Sequence, residues 1–323
     1  MRSRLLPFAG LLAAVLGAAL VASSVQAGSS QSLTCLGERA TVTGTSGNDR
    51  ISGTAKRDVI AAAEGNDVVD ARGGRDLVCG GRGKDVLRGG AGSDELSGGG
   101  GDDRLRGGAG LDYAVYEDSP AGVRADLARG SATGWGTDAF KAVEALIGSR
   151  KSDTFRGSGR ANYLAGLEGA DDISAGAGND YIDGGRGGDR LEGGDGFDTV
   201  DFFFSRRGVT ASLASGNARG YGRDRIVDVE DLDGSRFRDV LIGNASPNWI
   251  RGFAGDDIIF AGAGRDRAEG GNGDDRIRGG LANDRISGGP GKDRLLGGRG
   301  RDRLSGGVGR DRCMNGERLI GCP

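Results

Sequence analysis

A nine-residue period occupies most of this 323-residue chain and restricts its fold more than any other feature. The period continues without a slip through residues 44–115, 148–201 and 234–314, which together hold 23 units. The sixth position is Asp in 21 units, the eighth is apolar in all, the first is Gly or Ala throughout, and the fourth is Gly in 17. Disordered glycine-rich sequence would not keep these columns across three separate blocks. The chain is therefore predicted to form a repeat fold.

Each unit has the residues of one short strand and one tight turn. The apolar eighth residue, with one neighbour on each side, suits a strand of about three residues that points one side chain inward. The other residues must reverse the chain, and glycine suits them because tight turns use positive φ angles. Two strands and two turns close a coil of two units, so that unit n stacks on unit n+2 at about 4.8 Å. The period predicts an all-β fold of stacked parallel coils.

Stacking places the sixth-position aspartates in columns along the edges of the coils. Neighbouring carboxylates about 5 Å apart repel by roughly 1 kcal/mol even in water, and a cation between them reverses that repulsion. Calcium accepts carboxylate and carbonyl oxygens in irregular geometry, whereas magnesium needs a stricter octahedron and zinc prefers nitrogen or sulfur. Calcium is the expected ion, and a solvated acidic edge without a bound ion is the alternative. The candidate ligands are Asp49, Asp67, Asp76, Asp85, Asp94, Asp103, Asp112, Asp171, Asp180, Asp189, Asp198, Asp257, Asp266, Asp275, Asp284, Asp293, Asp302 and Asp311.

The quality of these candidate sites varies along the chain. Units without a fourth-position glycine are expected to bind calcium less well, and two sixth positions lack a carboxylate. Ten pairs of aspartates two units apart remain after this discount, and the first unit or two of the second and third blocks are expected not to bind. The discounted residues are Lys56, Lys151, Arg160, Phe237, Ser246 and Ala282 at the fourth position, and Asn162 and Asn248 at the sixth.

The full pattern Gly-Gly-x-Gly-x-Asp-x-U-x, where U is apolar, stands at residues 80–88, with Asp85 sixth and Leu87 eighth. With these repeats the chain resembles the RTX family of calcium-binding nonapeptide-repeat proteins, over about two thirds of its length. The resemblance implies a right-handed parallel β-roll, which is a β-solenoid, with calcium between turns two units apart. Many RTX proteins leave the cell through an exporter that reads an uncleaved C-terminal signal, and the N-terminus described next means that this route does not carry over.

The N-terminus has the order of a secretory signal peptide. Basic residues 1–4 precede an apolar run, and Val25-Gln26-Ala27 offers a small-residue cleavage site. We expect residues 1–27 to be removed and the protein to be extracellular, with a membrane anchor as the alternative. No second apolar span follows.

If the protein is exported, its four cysteines are expected to form disulfides. Local pairing, Cys35 with Cys79 and Cys313 with Cys322, would staple the two ends of the repeats. Free buried thiols are the alternative. The remaining termini, residues 28–43 and 315–323, are expected to cap the solenoid.

Two inserts of equal length, 116–147 and 202–233, separate the blocks and align without gaps. A wider coil that continues the roll is the first interpretation, and a ligand surface using Trp135 and Tyr221 is the second. In the third block the seventh position is repeatedly basic, which suggests either charge balance for the aspartates or an edge that holds an anionic cell-wall polymer or polysaccharide. These residues are Arg267, Arg276, Arg285, Arg294, Arg303 and Arg312.

The sequence predicts a binding protein rather than an enzyme. With no histidine, the chain lacks the Ser-His-Asp triad, the Cys-His pair and the zincin sites. Adjacent acids such as Asp256 and Asp257 are better explained as repeat positions than as glycosidase carboxylates. A net charge of -3 indicates no nucleic-acid partner. We expect a secreted calcium-binding protein that folds on binding Ca²⁺ outside the cell and has a structural or adhesive role; the alternatives are a calcium-dependent module for cell-wall polymer or polysaccharide, and an accessory part of a secreted enzyme system.

Overall fold

A computed structural model describes residues 33–322, and its regular secondary structure in that range is entirely β. Within the same range, no helix is long and apolar enough to cross a membrane. The predicted signal peptide, residues 1–27, lies outside the described residues, as do residues 28–32 of the predicted N-terminal cap.

The strands are short and follow one another at the spacing of the repeats. As far as residue 147 they are β1 (Thr34–Cys35), β2 (Glu38–Arg39), β3 (Val42–Thr43), β4 (Arg50–Ser52), β5 (Val59–Ala61), β6 (Val68–Asp70), β7 (Leu77–Arg82), β8 (Val86–Ala91), β9 (Glu95–Gly100), β10 (Arg104–Ala109), β11 (Tyr113–Val115), β12 (Arg124–Asp126), β13 (Ser131–Thr133), β14 (Thr137–Lys141) and β15 (Ala145–Ile147). As far as residue 233 they are β16 (Thr154–Arg156), β17 (Tyr163–Ala165), β18 (Glu168–Gly169), β19 (Asp172–Gly178), β20 (Tyr181–Asp183), β21 (Arg186–Gly187), β22 (Arg190–Gly196), β23 (Thr199–Asp201), β24 (Thr210–Ser212), β25 (Asn217–Arg219), β26 (Arg223–Val227) and β27 (Asp231–Asp233). The last are β28 (Val240–Ile242), β29 (Trp249–Ala254), β30 (Ile258–Gly262), β31 (Arg267–Asn272), β32 (Arg276–Gly280), β33 (Arg285–Gly291), β34 (Arg294–Gly298), β35 (Arg303–Gly309), β36 (Arg312–Met314) and β37 (Arg318–Ile320).

The chain divides into two compact units, and the first comprises Trp135–Val143 together with the described residues up to Val115. It contains two parallel ladders, β3-β5-β7-β9-β11 and β4-β6-β8-β10-β14. Partners within the repeats stand two units apart in the sequence, as Val69 and Leu87 do. Successive strands alternate between the ladders, so each pair of units forms one coil of a β-solenoid.

The second unit comprises Tyr116–Gly134 and the chain from Glu144 onward. One of its ladders runs β15-β17-β20-β23-β27-β29-β31-β33-β35-β37, and all its pairings are parallel. The facing strands form two parallel series, β12-β16-β19-β22-β26 and β24-β28-β30-β32-β34-β36. This unit is also a solenoid of parallel coils, as the nine-residue period predicts.

The second insert widens one side of a coil and leaves the other side continuous. Across it, β23 pairs directly with β27, with Val200 opposite Leu232. On the opposite side β24, β25 and β26 form an antiparallel meander. Trp135 and Tyr221 are both half-buried, and the Trp135 indole lies over Gly100, where an added Cβ would meet Nε1 at 2.9 Å.

The apolar core is built on the eighth-position side chains, and in some strands the neighbouring residues are buried as well. Eighth-position residues such as Leu87, Leu164 and Leu241 are fully buried. The strand neighbours of Leu87 and Leu241 are more exposed, whereas those of Leu164 are buried too. Each coil therefore buries little apolar surface for its length, and the turns must supply stabilising interactions of their own.

Both predicted disulfides are formed. Cys35 is bonded to Cys79, with Cα atoms 5.6 Å apart, and packs in a small buried cluster with Val59, Ala61 and Leu77. Cys313 is bonded to Cys322 at the other end of the repeats. The first bond links β1 to β7, and the second links β36 to the C-terminal tail.

Replacing a buried eighth-position leucine should destabilise the solenoid by as much as truncation of a core side chain usually does. We expect Leu164→Ala to lower the free energy of unfolding by about 2–5 kcal/mol, because a fully buried side chain leaves a cavity between coils. Urea unfolding in saturating calcium measures this effect. The matched control is Leu281→Ala, the same change at a side chain that is 48% exposed, and an equal loss from both variants would contradict the placement of the eighth-position side chains in the core.

Candidate calcium sites

One recurring hydrogen bond joins the sixth-position aspartates from coil to coil. The backbone N–H of Asp67 donates to Oδ1 of Asp85 at 2.8 Å, and the N–H of Asp275 donates to Oδ1 of Asp293 at 2.9 Å. The same bond, always between residues 18 apart, recurs in all three blocks. It holds each carboxylate in one orientation and stacks the aspartates into columns.

The second carboxylate oxygen of most of these aspartates is buried and accepts no hydrogen bond. Asp85 and Asp275, for example, are at most 1% exposed, and Oδ2 of each lies away from solvent. A buried acceptor without a partner costs roughly 1–3 kcal/mol, and more when it is charged. Sixteen aspartates share this arrangement: Asp67, Asp76, Asp85, Asp94, Asp103, Asp171, Asp180, Asp189, Asp198, Asp257, Asp266, Asp275, Asp284, Asp293, Asp302 and Asp311.

Main-chain carbonyls of the next coil approach the same place. A Cβ added to Gly80 would lie 2.3 Å from Oδ2 of Asp85 and 2.7 Å from the carbonyl oxygen of Gly98. At Gly270 the corresponding distances, to Oδ2 of Asp275 and to the oxygen of Gly288, are 2.1 and 2.8 Å. At Gly80 and Gly270, two oxygen acceptors from successive coils therefore converge in space that the absence of a side chain leaves open.

This donor set fits calcium better than a transition metal. Among residues 33–322, no three Asp, Glu or Cys side chains converge on one point, so a cation would be held by few carboxylates together with carbonyl oxygens. Calcium accepts that mixture, whereas zinc calls for nitrogen or sulfur ligands.

Burial raises the pKa of column aspartates in all three blocks, such as Asp85, Asp189 and Asp275. It brings the pKa of Asp85 to about 6, that of Asp275 to about 7 and that of Asp257 to about 8. The hydrogen bond from the backbone N–H of the preceding coil opposes this rise, and the charge of neighbouring aspartates adds to it. Without a cation, part of the columns would hold protons near neutral pH, and calcium would have to displace them.

Six turns differ from the rest, and we call them capped turns. In each, a Thr, Ser or Asn at the second position donates to the sixth-position side chain, as Thr45 does to Oδ2 of Asp49 through its N–H at 2.7 Å and its hydroxyl at 3.0 Å. Asp49 therefore differs from the other predicted ligands. The second- and sixth-position residues of the capped turns are Thr45 with Asp49, Thr54 with Asp58, Ser149 with Asp153, Ser158 with Asn162, Ser235 with Asp239 and Asn244 with Asn248.

The residue at the fourth position, by which the sequence analysis ranked the calcium sites, distinguishes capped turns from the other turns less well than these hydrogen bonds do. Capped turns hold five of the six residues discounted there, but Gly47 occupies the fourth position of the Asp49 turn, which is also capped. Conversely, Ala282 is in a turn whose aspartate, Asp284, has a buried Oδ2 with no partner.

The inserts supply acids that continue the columns, which the sequence reasoning missed. Oδ1 of Asp138 accepts the N–H of Asp103 at 2.9 Å, and Oδ1 of Asp224 accepts the N–H of Asp189 at 3.2 Å. Glu230 does the same for Asp198 at 3.0 Å. The gapless alignment of the two inserts, which matches Asp138 with Asp224, was the signal that could have found them.

Comparison with known families agrees with this geometry. A profile of the RTX calcium-binding nonapeptide repeat matches residues 43–78, 80–114, 147–182, 165–200, 233–268, 262–295, 269–304 and 287–317, which is about two thirds of the chain. No curated protein matches the sequence.

The raised pKa values predict how the stability of the calcium-stripped protein depends on pH. An aspartate whose pKa is near 6–8 when folded and about 3.9 when unfolded binds more protons in the folded state between those values. The stability that these aspartates contribute without metal should therefore be fully present below about pH 4 and be lost as the pH rises through 6–8. Urea midpoints by circular dichroism between pH 5 and 8 measure this fall. A midpoint that rises over this range in calcium-stripped protein would contradict the burial of the columns.

Proposed function

Because the chain belongs to the RTX calcium-binding nonapeptide-repeat family, we propose that it is a secreted, non-catalytic protein whose coils assemble on binding Ca²⁺ outside the cell and which has a structural or adhesive role. The repeats of this family bind calcium, and a chain with this many repeats binds several ions. The observation that carries the proposal is the repeated buried Oδ2 without a hydrogen-bond partner.

Calcium binding offsets the weakness of a core that is built mainly on one eighth-position side chain per unit. Extracellular calcium modules have dissociation constants of about 0.1–1 mM. At ten times that concentration, each site stabilises the folded state by about 1.4 kcal/mol, and several sites in one stack add up. A column of ionised carboxylates without the ion would instead oppose folding through burial and repulsion. The folded state is thereby coupled to the calcium concentration of the compartment.

Two observations support export. Residues 1–27 have the order of a signal peptide, and both disulfides suit an oxidising compartment. A binding role is supported by what the fold contains, since the matched repeats form a calcium-binding solenoid and the inserts extend its ladders.

The proposal is tested by removing one column carboxylate. We expect Asp275→Asn to bind at least one calcium ion fewer than the unmodified protein in calorimetric titration, because it loses an anionic oxygen between two coils. Asp274→Asn is the matched control: it removes the same charge from the adjacent, exposed residue. Equal stoichiometry in the two variants would contradict the assignment of the columns as calcium ligands.

A second candidate function, binding of an anionic polymer, is favoured by a row of arginines that begins in the third block and continues into the C-terminal segment. Arg285, Arg303 and Arg318 are exposed and stand opposite one another on successive strands, along a groove of about 540 Å³. Among residues 33–322 they form no ion pair with the column aspartates, so direct pairing does not explain them. Positive groups repeated at the strand spacing suit a linear polymer that bears one negative charge per unit.

The polymer hypothesis has its own test. Replacing Arg285, Arg303 and Arg318 by Ser should weaken sedimentation of the protein with an insoluble acidic polysaccharide, because it removes three charges from one row. Serine in place of three exposed arginines of the first block, Arg50, Arg88 and Arg106, makes the same change in net charge elsewhere. Identical binding by both triple variants would reject the row as a binding surface.

A further inference from the structure

The backbone shows that the capped turns and the other turns of the repeats are two distinct conformations. In the other turns the second position has positive φ even where it is not glycine, as at Ala63 (84°), Arg72 (74°) and Leu167 (75°). No second-position residue of a capped turn has positive φ. The difference therefore follows the class of turn and not simply the presence of glycine.

The capped turns satisfy the oxygen that the other turns leave without a partner. Oδ2 of Asp58 accepts the N–H of Thr54 at 2.6 Å and its hydroxyl at 3.0 Å, and the Thr54 Oγ also accepts the N–H of Lys56 at 3.0 Å. Ser235 holds Asp239 in the same way, with its N–H 2.6 Å from Oδ2 and its hydroxyl 2.7 Å from Oδ1.

In two capped turns the charge is absent as well. Asn162 accepts the N–H of Ser158 at 2.6 Å and donates through Nδ2 to the carbonyl of Glu144 at 3.0 Å. Asn248 likewise accepts from Asn244 and donates to the carbonyl of Glu230. In these two turns the sixth-position side chain is neutral and hydrogen-bonded, whereas in most of the uncapped turns it is a carboxylate whose Oδ2 has no partner.

The capped turns stand at the same place in every block. They are the first two units of residues 44–115, of 148–201 and of 234–314, and two units make one coil. We propose that the second-position side chain decides whether a turn takes calcium, and that each block begins with one coil that is held together by these caps without metal. The inference rests on the proposed calcium function.

The capped coil also orients side chains in the turns of the next coil. These are the first turns whose aspartate Oδ2 has no partner, and we call turns of this kind calcium-type turns. The N–H of Asp239 donates to Oδ1 of Asp257 at 2.8 Å, and the N–H of Asn248 donates to Oδ1 of Asp266 at 2.9 Å. A coil that is ordered without calcium would thus already orient the carboxylates of the next coil. In a solenoid, where each coil contacts only its neighbours, such a coil is a starting point from which calcium-bound coils can propagate.

A single added hydroxyl tests the rule for calcium. Ala63 is at the second position of a turn whose aspartate, Asp67, has a free Oδ2, so Ala63→Ser adds the capping group and leaves the backbone substituent in place. We expect Ala63→Ser to bind one calcium ion fewer in calorimetric titration. Ala91→Ser, which adds a hydroxyl at the exposed third position of another turn, should keep the full number.

The outcomes of this titration separate the two proposals. An unchanged number of ions in Ala63→Ser, or an equal loss in Ala91→Ser, would overturn the second-position rule while calcium binding itself stands. Unmodified protein that binds no calcium would overturn the proposed function instead.

The starting coil is tested in the absence of calcium by hydrogen exchange. In chelator, the backbone N–H groups of Ser235 and Phe237, which bond to Asp239 and to the Ser235 hydroxyl, should exchange more slowly than those of the calcium-type turns. Ser235→Ala should remove this protection, whereas Ser287→Ala, on the sheet surface of the same block, should leave it. Uniform exchange throughout the unmodified chain in chelator would overturn the metal-free coil.

Discussion

The second oxygen of each stacked aspartate is the group on which this fold depends. One oxygen is bound by the backbone N–H of the preceding coil, which fixes the carboxylate, and the other is then buried beside a carbonyl from the following coil. Because a buried anion without a partner is costly, the turn conformation and the cation belong together. The glycines have a corresponding role: at Gly80 and Gly270, a side chain would occupy the space between the carboxylate and the carbonyl.

The same reasoning explains why the repeats are not uniform. A turn can satisfy its sixth-position side chain with a cation or with a hydroxyl and a backbone N–H, and the two solutions need different backbone angles at the second position. Turns that take calcium make the folding of the solenoid depend on the calcium concentration. Capped turns are ordered without the ion. Placing one capped coil at the start of each block gives every block an ordered neighbour on which to stack.

Much of the fold follows directly from the nine-residue period. Leu87 and Leu164 are buried because the apolar eighth position faces the inside of the coil, and strands two units apart pair with each other. The two disulfides join the cysteines that lie nearest each other in the chain. The difference between turns was harder to predict. The fourth position was the visible irregularity, yet Gly47 and Ala282 show that it does not decide the hydrogen bonding. That bonding depends on the second-position residue, whose N–H, and in five of the six capped turns whose hydroxyl, reaches the side chain four positions along the chain. Asp138 and Asp224 escaped notice because they lie outside the period and join the columns only through the three-dimensional path of the inserts.

This explanation of the fold requires the buried Oδ2 atoms to be calcium ligands. An anomalous difference map from crystals grown in calcium chloride tests it most directly. Peaks are expected about 2.3–2.6 Å from Oδ2 of aspartates such as Asp275 and Asp293, with none beside the capped Asp58 or Asp239. A map without peaks next to the columns, in crystals that diffract well enough to show calcium elsewhere, would contradict it.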